Sequence, residues 1–177
     1  MITVPEAAPA VRRKPTTVVF ADLVGSTELV AAIGDERWAE LLEHYYTVVR
    51  RDLAAAGGAE MDTAGDGVFA VFGDPAAALV FGCDVMDDLH RLGLQLRVGV
   101  HTGSCWWVGP KCAGLDVSIG ARIAAAAAPD ELLVSEAVRR RLAGDGRFAF
   151  HPRGEPELKG VPGHWPLYSA TRALVTS

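Results

Sequence analysis

Two aspartates and one arginine are the residues of this chain best suited to chemistry. Asp22 lies near the end of TTVVFADLV, a β-rich run, and GSTELV follows it. A carboxylate at the end of a buried strand can hold a divalent cation. A helix starting just beyond it offers free backbone N–H groups and a positive dipole to phosphate. The plainer alternative is that Asp22 only caps that helix. Asp66 lies in MDTAGDGVFAVF, at a glycine-flanked turn between two short β-runs. In a strand–helix–hairpin order the first strand ends beside that turn, so the two carboxylates converge. Together with a phosphate-cradling helix start, they are the parts of a two-metal phosphoryl-transfer site. For Asp66 alone, Asp-Gly turn chemistry is the alternative.

Arg122 stands in VSIGARIAAAAA, among small and apolar residues. At helical spacing it shares a face with Ser118, and an arginine beside a small hydroxyl can clamp a transferring phosphoryl group. Taken alone, Arg122 reads as a solvated position. Lys159 in ELKG is by default a surface lysine, and His101 in VGVHTG a satisfied, half-buried histidine. On a strand, Trp106 and Trp107 point to opposite faces, one into the core and one free to cover a cleft or a partner.

The elements that must position these groups follow from periodicity. Residues 16–24 form a buried strand. A helix begins near Ser26 or Thr27, either of which can cap it. Trp38, Leu41, Leu42, Tyr45, Val48, Val49 and Leu53 recur at helical spacing, giving a long helix over 35–53, stopped by Gly57-Gly58. Two strands flank AGDG as a hairpin whose turn geometry is supplied by Asp-Gly. Asp74-Pro75 opens a further helix. LQLRVGVHTG is a strand, with CWWV hairpinned onto it after Gly103. DVSIGARIAAAAA is a helix, ELLVS a strand, and SEAVRRRLAG a short helix capped by Ser135. The segment from Phe148 onward alternates like an edge hairpin. The order is βαββαβ with extra elements, an α+β class with one sheet and helices packed on it.

Composition narrows the function. The chain has 177 residues, half of them apolar, which suits one domain with a substantial core. The net charge of −5 argues against general nucleic-acid binding. No apolar run is long enough to span a bilayer. MITVPEAAPAVRRKP lacks the apolar centre of a signal peptide, so residues 1–14 read as a flexible arm, 15–177 as the folded domain and the location as cytoplasmic. Cys83, Cys105 and Cys112 lack zinc spacing and read as reduced thiols.

Taken in order, VVFADLVGSTEL, TAGDGVFAVF, RVGVHTG, GLDVSIGARI, ELLVS and ELKG resemble the class III nucleotide cyclase catalytic domain, over residues 15–170. Each block is short, and the ordered set is specific. The resemblance implies a ferredoxin-like βαββαβ core with added C-terminal strands, working as a homodimer with active sites shared across its interface. It implies two Mg²⁺ or Mn²⁺ ions per site, with Asp22, Leu23 and Asp66 matching the metal-binding positions. The triphosphate-holding backbone matches the segment from Leu23 through Val24, Gly25, Ser26 and Thr27, and Lys159 matches a triphosphate-binding lysine. Arg122 matches an arginine that the other protomer supplies to the transition state. The implied reaction is in-line attack of the ribose 3′-oxygen on the α-phosphorus, with pyrophosphate leaving. Adenylyl cyclase activity, ATP to cyclic AMP, is favoured.

Three positions depart from the family pattern. The base-selecting lysine is replaced by Asp62, the base-selecting aspartate by Lys111, and the ribose-orienting asparagine by Ser118. Three readings follow for the base pocket. The exchange keeps one donor and one acceptor for a shifted purine; the pocket reads another base, from GTP or a pyrimidine triphosphate; or Asp62 and Lys111 pair and fill it. The last fits a degenerate nucleotide-binding regulatory dimer. Asp62 is expected to face the second active site of the dimer. A diguanylate-cyclase-type or polymerase-type palm is the rival two-metal enzyme, and its signature is missing here.

Overall fold

The computed structural model describes residues 11–174. The elements run β1 (Val11–Leu23), α1 (Ser26–Ile33), α2 (Asp35–Ala55), β2 (Ala59–Ala64), β3 (Gly67–Phe72), α3 (Pro75–His90), β4 (Leu96–Val108), β5 (Lys111–Ala113), α4 (Leu115–Ala126), β6 (Glu131–Ser135), α5 (Glu136–Arg141), β7 (Phe148–Pro152) and β8 (Leu167–Arg172). The strands make one sheet in the order β2-β3-β1-β4-β6-β8-β7, with β5 added to β4. The segment β1 to β4 is the expected βαββαβ core with its strands in order β2-β3-β1-β4, and the C-terminal strands extend the sheet past β4. Among the named strand pairs only β4–β6 is parallel.

Strand β1 divides the core by its pleat. Val19, Ala21 and Leu23 point to one face, where they pack with Tyr45 and Val49 of α2 and with Leu79 and Phe81 of α3. Val18 and Phe20 point to the other, into a cluster with Cys105, Cys112 and Val117. Helix α4 lies on that second face. Two glycines let it approach closely. A Cβ on Gly99 of β4 would fall 2.2 Å from the backbone nitrogen of Ala124, and one on Gly120 of α4 would fall 2.5 Å from Val18. All three cysteines are free. No helix among the described residues is long and apolar enough to cross a membrane.

Several local expectations are corrected. Strand β1 starts at Val11 and pairs with β4 from there, so residues 11–14 belong to the sheet; the rest of the expected arm lies outside the described residues. There is no hairpin after Gly103: β4 runs unbroken through it to Val108, and the chain reverses at Gly109-Pro110. Neither Ser26 nor Thr27 caps α1, because the N-cap is Gly25 in left-handed conformation. Ser135 stands at the N-cap of α5 but its side chain makes no capping bond; its hydroxyl meets His101 instead. By contrast, Asp74 caps α3 as expected, accepting from the N–H of Ala76 at 2.9 Å.

Candidate active site

The turn carrying Asp66 is built on Gly65, which takes the positive φ of 61° at the first central position. Asp66 occupies the second, and Gly67 already belongs to β3. This is the pattern in which glycine leads the turn, so the freedom expected of Asp66-Gly67 resides one residue earlier. Two neighbouring tyrosines of α2 hold the turn from beneath. The Tyr45 hydroxyl donates to the Asp66 carbonyl at 2.8 Å, and the Tyr46 hydroxyl donates to the Gly65 carbonyl. Tyr45 is fully buried, and burial raises its pKa, so it remains a donor.

The held turn brings Asp66 to the end of β1, where its Oδ2 accepts from the backbone N–H of Leu23 at 3.1 Å. Asp22 is the preceding residue, so the strand–hairpin convergence expected from the sequence is present. Burial raises the pKa of Asp22; Arg97 works against that shift and Asp66 adds to it. Arg97 faces Asp22 across the β1–β4 pair. Its Nε is buried and has no hydrogen-bond partner among the described residues. Two adjacent carboxylates with hard oxygen donors, one of them reluctant to ionise, suit a small divalent cation such as Mg²⁺ or Mn²⁺.

The backbone past Asp22 offers less than the full segment from Leu23 to Thr27. The Leu23 N–H is engaged by Asp66, and that of Val24 by the carbonyl of Gln95 at 2.9 Å. Gly25 in left-handed conformation then turns the chain so that Ser26 and Thr27 begin α1, whose first N–H groups have no helical acceptor.

A cavity of about 430 Å³ opens between this end of the sheet and α4. Asp22, Asp62 and Arg97 are its charged lining; Phe20 and Phe69, stacked at 4.5 Å between ring centroids, and Val117 and Ala121 of α4 supply apolar walls. Asp62, expected to serve a second site, lines the same cavity as Asp22 within one chain. Lys111 does not: it is exposed at the start of β5, opposite Val108, and makes no ion pair with Asp62 among the described residues. Ser118 and Arg122 are both exposed on α4 and absent from the lining, and Lys159 is exposed in the β7–β8 connection. One chain therefore assembles Asp22, Asp66, Asp62 and Arg97, and leaves Ser118, Arg122, Lys111 and Lys159 facing outward.

Sequence reasoning missed three of these groups. From spacing Tyr45 reads only as an apolar-face residue, and nothing in the sequence assigns a role to Tyr46 or Arg97. The available signal for Arg97 was a lone cation inside the apolar run LRVGV.

Comparison with known proteins shows the family of this chain. Residues 9–171 match the family described as the adenylate and guanylate cyclase catalytic domain. The chain is 30% identical over 165 residues to the pH-sensitive adenylate cyclase MT1302 of Mycobacterium tuberculosis, covering 90% of this chain and 41% of that protein. It is 31% identical over 127 residues to an adenylate cyclase of Streptomyces coelicolor, covering 71% of this chain and 33% of that one. The chain thus spans less than half the length of either relative. The adenylyl cyclase CyaB of Pseudomonas aeruginosa has a similar fold, with a TM-score of 0.87 at 22% identity, covering 94% of this chain and 98% of that one. The guanylate cyclase domain of RhGC from Catenaria anguillulae, solved with GTP, gives 0.81 at 18% identity, covering 92% and 100%. With a family match across almost its whole length and a fold shared with solved cyclase domains, this chain belongs to the adenylate and guanylate cyclase catalytic domain family.

Proposed function

We propose that this chain is a nucleotide cyclase that converts ATP into 3′,5′-cyclic AMP and pyrophosphate. The observation that carries the reading is the bond from the Leu23 N–H to Asp66, which fixes a second carboxylate near Asp22, itself part of the cavity lining. Asp22 and Asp66 are the residues that would hold Mg²⁺ or Mn²⁺. Held by these two carboxylates, such a cation would lower the pKa of the ribose 3′-hydroxyl and neutralise phosphate charge. Gly25, Ser26 and Thr27 present backbone N–H groups to the phosphates, and Arg97 adds a cation to the lining of the same cavity. The apolar cavity walls take the base, with Asp62 at its polar edge.

Arg122, Ser118 and Lys159 point away from the cavity of their own chain. In the proposed enzyme they complete the site of a second copy, Arg122 stabilising charge on the transferring phosphoryl group and Lys159 holding the triphosphate. Activity then requires a homodimer.

One observation favours a second reading, in which GTP is the substrate. Asp62 is a carboxylate lining the cavity beside Phe69, and no lysine lines it among the described residues. A carboxylate only accepts hydrogen bonds. Guanine offers it two neighbouring donors, whereas adenine offers one amino group beside an acceptor.

Incubating the purified chain with Mn²⁺ and each of ATP, GTP, CTP and UTP, followed by mass spectrometry of the products, tests both readings. Cyclic AMP as the main product supports the first, and cyclic GMP the second. No cyclic product from any of the four overturns the enzyme reading.

A further inference from the structure

Helix α4 carries Ser118 and Arg122, and a partly buried polar network joins it to the sheet. The helix has Gly114 at its N-cap and so lacks a side-chain cap. Its first-turn carboxylate, Asp116, reaches sideways to β4. Asp116 Oδ1 lies 2.9 Å from His101 Nε2, and Oδ2 accepts from the Ser104 N–H at 3.1 Å. That N–H needs a partner because β6 pairs with β4 only over Arg97–Val100 and β5 only over Trp106–Val108. Between them the edge of β4 is open, and Asp116 fills the gap. Gly103 makes the approach possible, since a Cβ there would fall 2.3 Å from the Asp116 carboxylate.

His101 continues the network inward. It is 3% exposed, and its Nδ1 lies 2.8 Å from the hydroxyl of Ser135, where β6 meets α5. Trp165 packs edge-on against the ring at 6.0 Å. One proton arrangement satisfies every group: Nε2–H donates to Asp116, and the Ser135 hydroxyl donates to Nδ1. Burial lowers the His101 pKa, which keeps the ring in that neutral form. Ser135 is 1% exposed, so the Ser135–His101–Asp116 chain is no hydrolytic triad.

We propose that His101 and Asp116 are positioning residues, a partly buried clamp that sets the register of α4 and thereby where Ser118 and Arg122 are presented. The inference rests on the cyclase reading for the roles of those two residues. The close contacts at Gly99 and Gly120 fix how near α4 lies to the sheet, but apolar contacts alone permit a helix to slide or turn. The clamp removes that freedom at the end of the helix from which Ser118 is two residues and Arg122 six residues distant by sequence number. Reactive groups displaced by about 1 Å lose up to about a hundredfold in rate.

The test compares Asp116→Asn, His101→Gln and His101→Leu in the full chain. Expected for Asp116→Asn is a kcat about tenfold to a hundredfold lower, with KM for the nucleotide within about twofold of the parent. His101→Gln, which retains a donor toward Asp116, should keep more activity than His101→Leu. If His101→Leu does not fold, the other two variants carry the test. A kcat within about twofold of the parent in Asp116→Asn overturns the clamp. If the parent itself turns over no nucleotide, the cyclase reading fails separately, and the clamp is judged by hydrogen exchange and ¹⁵N histidine spectra. Faster exchange along α4 than along α3 in Asp116→Asn, with an Nε2-protonated His101 in the parent, supports it; unchanged α4 exchange or the other tautomer overturns it.

Discussion

Asp22 stands opposite Arg97 in the β1–β4 pair, yet its carboxyl is harder to ionise than an ordinary aspartate. Burial outweighs the arginine, and Asp66 opposes it further. The site is therefore least stable when both carboxylates are charged and no cation is held. Asp22→Asn should stabilise the metal-free chain by about 1 kcal/mol, or roughly 2–4 °C in Tm. The same change should abolish Mn²⁺-dependent activity and the rise in Tm on adding Mn²⁺. A variant whose Tm still responds to Mn²⁺ like the parent would refute Asp22 as a ligand.

Base selectivity should follow Asp62 and not Lys111, because only Asp62 lines the cavity. A mismatched donor or acceptor in such a pocket costs about 1–3 kcal/mol. Asp62→Lys should thus change the ratio of kcat/KM for ATP to that for GTP by about 5- to 150-fold, in favour of ATP. Lys111→Asp alone should leave the ratio within about twofold. Competition assays with both nucleotides give the ratio directly, and a flat ratio in Asp62→Lys would remove that residue from the base pocket.

Gly99→Ala probes the seat of α4 in the other direction. The new methyl would meet the Ala124 backbone, which cannot rotate aside as a side chain can. Overpacking of this kind costs about 1–3 kcal/mol. Denaturant unfolding should show that loss, with activity falling as Arg122 moves outward. Gly73→Ala, where a Cβ meets nothing within 4 Å, serves as the control.

Acid should destabilise the fold through His101. Its folded pKa lies below the ordinary histidine value, so the unfolded chain binds a proton that the native state refuses. This contribution is fully present above the unfolded pKa of about 6.5 and is lost as pH falls below it, at no more than about 1.4 kcal/mol per pH unit. Tm measured between pH 7.5 and pH 5.5 should fall less steeply in His101→Gln than in the parent. An equal slope would mean that His101 is not the group responsible.

The parts of the fold governed by local pattern were readable from the sequence: the strand ending at Asp22, the long α2, the Asp74-Pro75 start of α3 and the hairpin carrying Asp66. What was not readable depended on contacts between distant segments. Gly103 looked like a chain break because glycine usually marks one. Its role is to leave room for Asp116, which arrives from another element. Ser135 had the residue type and place of a cap, but His101, 34 residues earlier, competes for its hydroxyl. Tyr45 fits a helical apolar face, and nothing in that spacing shows that its hydroxyl reaches the Asp66 turn. Arg97 is a cation in an apolar run, and only the β1–β4 register sets it against Asp22.

The placement of β1 also has a consequence for how the chain emerges from a ribosome. This central strand, which bears Asp22, pairs mainly with segments made much later; Thr17, for example, bonds to Thr102, 85 residues on. At about 5–20 residues per second of synthesis, β1 waits several seconds for β4. During that interval β3 can cover one edge while the other stays open. Nascent chains stalled before residue 96 should therefore be vulnerable to strand-to-strand association, and the Asp22 end of β1 should gain its full set of neighbours only after β4 has been made.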